Sequence, residues 1–77
     1  GFLHVLHEIL VLAEDRPGVI ADIGGALAGE GINLNDIEVL KVREGEGGTL
    51  RLGFDTRQAA ERAVEILSKK DYSVRMR

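Results

Sequence analysis

The spacing of apolar residues changes along the chain, and each change marks a predicted element. Over residues 8–13, Ile9, Val11 and Ala13 alternate with Leu10 and Leu12. This is strand spacing with apolar residues on both faces, as in a central strand or one whose second face meets a partner. From 17 to 30 the period becomes helical, and Val19, Ile20, Ile23, Ala26 and Leu27 form the predicted buried stripe, with Asp22 and Glu30 facing solvent. Pro17 fits the first helical position and Gly31 the left-handed residue that ends the helix. Gly24, Gly25 and Gly29 each cost on the order of 1 kcal/mol against alanine in a helix interior, so close packing on a sheet or a neighbouring helix is expected there. A second strand is predicted over 32–43, with Asn33 and Asn35 alternating with Ile32 and Leu34 and a break in parity near Asp36 that reads as a bulge or twist. Residues 44–48, Glu-Gly-Glu-Gly-Gly, read as a hairpin loop. A third strand over 49–55 turns Leu50, Leu52 and Phe54 inward and Thr49, Arg51 and Gly53 away. A second helix starts at Asp55–Thr56, either of which can cap it, ends near Lys69–Lys70, and buries Ala59, Ala60, Ala63, Val64 and Leu67. A last strand over 72–76 points Tyr72, Val74 and Met76 inward.

The predicted order is β-α-β-β-α-β. Right-handed crossovers fold it as an α+β ferredoxin-like sandwich, a four-stranded antiparallel sheet with two helices on one face. The other face stays uncovered and carries Leu10 and Leu12, which marks an interface; the second strand is an open edge. Residues 1–7 read as a linker, a tag remnant or an extension of the first strand, and 8–77 as one domain. Gly1 in place of methionine suggests an excised fragment or a tag remnant.

Composition narrows the function classes. A chain of 77 residues has a modest core, so oligomerisation or attachment to a larger chain is the expected source of extra stability. Without cysteine, and with only His4 and His7 as nitrogen donors, neither disulfides nor a structural metal is expected, and a cytoplasmic location is. A net charge of −3 and three aromatics argue against nucleic acid, and no apolar run approaches a membrane span. No cofactor is expected.

The chemistry concentrates at Asp15-Arg16-Pro17-Gly18-Val19-Ile20. A helix start leaves backbone N–H groups unpaired and carries the positive end of the helix dipole, so the amides of Gly18, Val19 and Ile20 suit a carboxylate. Asp15 beside them can cap the helix or hold an ammonium group. Donors for a carboxylate and an acceptor for an ammonium are what a free amino acid needs, although a bare turn-and-cap role accounts for the same residues. No catalytic set can be assembled: Ser68 and Ser73 lack a nucleophile turn, 45–48 joins two strands rather than opening a helix, and Glu14, Asp15, Asp55 and Glu61 read as capping or solvated acids. An acylphosphatase-like enzyme on this fold would need Arg16 and Asn35 as its arginine and asparagine, but the first loop has no glycine-rich phosphate cradle.

Together with Gly31-Ile32-Asn33-Leu34, the turn resembles the ACT domain family, amino-acid-binding regulatory modules. Asn35-Asp36-Ile37-Glu38-Val39, the run 42–48 and Leu50-Arg51-Leu52 are most similar to the C-terminal ACT domains of bacterial prephenate dehydrogenases. The resemblance implies a feedback domain of tyrosine biosynthesis with an aromatic amino acid as effector, an attached catalytic domain, and edge-to-edge homodimers with the effector at the seam. It places the carboxylate on the amides of Gly18, Val19 and Ile20 after Pro17, the ammonium near Asp15, and a side-chain donor at Asn33 or Asn35, with Leu34 between them, on strand two of the second chain. The ACT domains of phosphoglycerate dehydrogenase and of the acetolactate synthase regulatory subunit share the Pro-Gly turn and the Ile-Asn step. A dimerisation module without a small-molecule ligand is the other reading.

Overall fold

The computed structural model describes residues 6–14, 17–43 and 47–77. Asp15, Arg16, His4 and the tip of the predicted hairpin at 44–46 lie outside the described residues. The elements are β1 (His7–Ala13), α1 (Val19–Gly29), β2 (Asp36–Arg43), β3 (Gly47–Phe54), α2 (Arg57–Lys69) and β4 (Ser73–Met76). The strands form one antiparallel sheet in the order β2-β3-β1-β4, so the expected β-α-β-β-α-β sandwich is the fold.

Alternation along the central strands builds the core. Ile9 of β1 lies opposite Leu52 of β3, and Val11 opposite Leu50. All four are buried, together with Phe54, Val19, Ile23 and Leu27 of α1, and Ala60, Ala63, Ile66 and Leu67 of α2. β2 is an edge strand: Ile37 and Val39 continue the rows of Leu52 and Leu50 yet remain exposed, as does Leu40.

Several expectations need correction. α1 starts at Val19, not Pro17: Gly18 is its N-cap, in the left-handed region at φ 83°. Ile20 is not in the buried stripe and is 52% exposed, because three buried positions, Val19, Ile23 and Leu27, already fill the face toward the sheet. The helical glycines are not tight contacts: a β-carbon at Gly24, Gly25 or Gly29 would meet nothing within 4 Å. β2 begins at Asp36 rather than Ile32. Its irregularity lies between Val39 and Lys41, so Leu40 is the extra residue and Lys41, opposite Thr49, shifts parity. In α2, Ile66 is buried, whereas Ala59 and Val64 are only packed against the core. Tyr72 precedes β4, and Met76 is exposed. Of the two leucines expected on the open face, Leu12 is exposed and Leu10 is half-buried.

Candidate functional site

The turn into α1 is built by Gly18. Its positive φ lets the chain leave β1 and enter the helix within a few residues, and its carbonyl accepts the first helical bond, from the Asp22 amide at 2.8 Å. Among the described residues no side chain caps this start, so the first amides of α1 have no helical acceptor. Pro17, Gly18 and Ile20 are exposed around them, and Val19 anchors the turn in the core. Asp22, expected to face solvent, holds the first turn in place. It accepts from the Tyr72 hydroxyl at 2.5 Å and pairs with Lys70 at 3.3 Å, which ties α1 to the connection between α2 and β4. Next to this tie is an open depression of about 450 Å³ between Leu12, Glu14, Asp22, Lys70, Asp71, Tyr72 and Ser73, which hydrophobic patterning alone does not reveal.

The second half of the predicted site is the loop before β2. Ile32 and Leu34 pack against the core, which leaves Asn33 and Asn35 exposed. The Asn35 amide donates to the Gly53 carbonyl at 2.9 Å, so the loop is docked on β3. Asp36, the next residue, is held by Arg51, whose hydrogen bonding keeps the Asp36 carboxyl below its ordinary range.

Within one chain the two halves do not meet. The Gly18 turn follows Ala13, which lies opposite Gly48 and, through it, Val42 near the end of β2. The asparagine loop precedes Asp36, opposite Gly53 and beside Glu8 at the start of β1. The 11 residues of α1 span the gap, on the order of 16 Å at the helical rise per residue. Asp15, assigned to an effector ammonium, lies outside the described residues. Among the described residues no cluster of three or more potential ligands could hold a metal ion, and no helix is long and apolar enough to cross a membrane.

The β-α-β-β-α-β sandwich, with a glycine-built helix start that has no side-chain cap among the described residues, is a ferredoxin-like scaffold. The chain belongs to the ACT domain family, whose profile matches residues 7–69. It is 35% identical over 68 residues to a prephenate dehydrogenase of Bacillus subtilis, a match that covers 84% of this chain and 18% of that protein. It therefore spans under a fifth of that relative's length. In three dimensions it is similar to the ACT domain of prephenate dehydrogenase from Bacillus anthracis, with a TM-score of 0.82, 29% identity, and coverage of 90% of this chain and all of that one. The regulatory subunit of aspartate kinase from Thermus thermophilus shares the fold, with a TM-score of 0.76 and 22% identity over 94% of this chain and 50% of that one.

Proposed function

We propose that this chain is the amino-acid-sensing domain of a cytoplasmic prephenate dehydrogenase and regulates an attached catalytic domain by binding an aromatic amino acid, tyrosine first among the candidates, at a seam between two copies. The observation that carries this reading is the separation of the two half-sites to opposite ends of α1. An antiparallel β2-to-β2 pairing of two copies would lay the start of one β2 beside the end of the other. The end of β2 and the Gly18 turn share one end of the sheet, so the partner's asparagine loop would approach this chain's turn. The amides of Gly18, Val19 and Ile20 would take the carboxylate, Asp15 the ammonium, and Asn33 and Asn35, with Leu34 behind them, would complete the pocket from the other chain. The exposed Ile37, Val39 and Leu40 of β2 support pairing at this edge, since an apolar open edge is a template for another strand. They equally favour the second reading, an assembly module without a ligand.

Thermal unfolding against each of the twenty amino acids separates the two readings. A ligand at about 100 times its Kd stabilises by roughly 2.7 kcal/mol, several degrees for a domain of this size. Gly18→Asp should abolish the shift by setting a negative charge at the carboxylate position. Gly18→Asn, of equal size and equally tolerant of the left-handed conformation, should retain most of it. Response of a dimeric chain to none of the twenty would select the assembly module, and survival of the shift in Gly18→Asp would move the pocket elsewhere.

A further inference from the structure

The open sheet face holds a charge cluster that the effector site does not use. Arg51 stands in mid-β3, opposite Leu10 of β1 and Glu38 of β2, and its guanidinium serves three carboxylates. Nη1 donates to Glu8 at 2.5 Å, Nη2 to Asp36 at 2.5 Å, and Nε to Glu38 at 3.0 Å. The arginine side chain is 12% exposed. These bonds hold it protonated well above its ordinary range. Arg77 reaches the other oxygen of Glu8 at 3.5 Å.

Two residues along β3, Gly53 is buried although it lies on the open face. Leu6 is the reason: a β-carbon at Gly53 would stand 2.8 Å from the Leu6 side chain and 3.4 Å from Asp36 Cβ. The Gly53 carbonyl is also the acceptor that docks Asn35. The start of β1 with the residue before it (Glu8 and Leu6) and the start of β2 with the residue before it (Asp36 and Asn35) therefore rest on the same two β3 residues.

We infer that Arg51 and Gly53 form a junction that couples the asparagine loop to the start of β1, with Arg51 as its positioning residue. The consequence for signalling rests on the effector-sensing reading given above. A ligand gripping Asn33 or Asn35 displaces Asp36. A guanidinium is a planar fork with fixed donor directions, so it cannot follow Asp36 and keep its bond to Glu8 unchanged. The change at Glu8 alters the seat of Leu6, where the chain preceding β1 arrives.

The test uses backbone NMR of the whole chain. Exchange of the Asn35 amide reports the loop, and the proton shift of the Arg77 amide, which donates to the Glu8 carbonyl at 3.0 Å, reports the start of β1. Glu8→Gln should speed Asn35 exchange severalfold, and Asp36→Asn should move the Arg77 amide upfield, each an effect on the far side of Arg51. Arg51→Met should do both, while the Val11 and Leu52 amides exchange within about twofold of the parent chain. Either side responding only to its own substitution would overturn the junction. So would a uniform acceleration that includes Val11 and Leu52, which would make Arg51 a general stabiliser. With L-tyrosine or L-phenylalanine added, both reporters should move in the parent chain and only Asn35 in Arg51→Met; a parent-like Arg77 response in Arg51→Met would also overturn the junction. If neither amino acid moves any amide of the parent chain, the effector reading fails, and the ligand-free variants still decide the junction.

Discussion

The two helices lie on one face of one sheet and end alike, but they begin differently. α2 opens on Thr56, whose hydroxyl accepts from the Ala59 amide at 3.1 Å. Along its exposed face Arg57 pairs with Glu61, and Arg62 and Lys69 with Glu65. α1 opens on a left-handed glycine with no described side-chain cap, and carries Gly24, Gly25 and Gly29 with open space where a β-carbon would be. Their C-terminal ends are matched. Ile32 and Gly31 donate back to Leu27 and Ala28, as Tyr72 and Asp71 do to Leu67 and Ser68, the paired bonds of a left-handed helix stop. Gly31 fills the left-handed position in one and Asp71, at φ 69°, in the other. α2 is capped by a side chain at its start, whereas among the described residues no side chain accepts from the first amides of α1. The helix without a described side-chain cap is the one whose first turn bears the candidate site.

Substitutions can break or sharpen this contrast. Leu27 and Leu67 are both fully buried, so Leu27→Ala and Leu67→Ala should each destabilise by about 3 kcal/mol in chemical denaturation. A Leu27 cost below about 1 kcal/mol would mean that α1 is poorly anchored beyond its first turn. At the starts, Gly18→Ala should cost about 1–2 kcal/mol through its left-handed φ alone, since no atom crowds the position. Thr56→Ala should cost about 1 kcal/mol through the lost cap. If Gly18→Ala cost nothing, the glycine would not be what sets the turn. On the exposed side of α1, Gly25→Ala should stabilise the isolated chain by about 0.5–1 kcal/mol. If the same substitution weakened self-association in sedimentation, a second copy would be packing closely on that helix. The smallest effect should come at the matched ends, where Asp71→Gly should raise the melting midpoint by a degree or two, by removing the side chain from a left-handed residue.

Much of this was legible in the chain itself. Alternation and helical spacing determine the element order, because a pleated strand and a helix each impose their own period on whatever must be buried. Leu50, Leu52 and Phe54 and the stripe through Val19, Ile23 and Leu27 follow from that periodicity, while residue type narrowed the cap of α2 to Asp55 or Thr56 and the structure selects Thr56. A tight strand-to-helix turn was visible in Asp15, Pro17 and Gly18, but the left-handed conformation of Gly18 was not, since the helix read as starting at Pro17. Side-chain meetings between elements distant in sequence were not legible. Asp22 read as a solvated acid because nothing local shows that Tyr72, 50 positions on, arrives beside it. Arg51 read only as pointing outward, yet strand order brings Glu8 and Asp36 to it from two neighbouring strands. Ile66 fell outside the expected stripe, yet it is buried in the core. Gly53 looked like a strand glycine of no consequence until Leu6 folded across it. The bulge at Leu40 depends on how Thr49 and Leu50 pair with β2, which is a property of two strands. Local periodicity and backbone preference belong to the sequence by itself. Which end of the sheet a loop occupies, and which charges share a partner, were decided only by the tertiary structure, because contacts between distant segments exist only once the strand order and register are set.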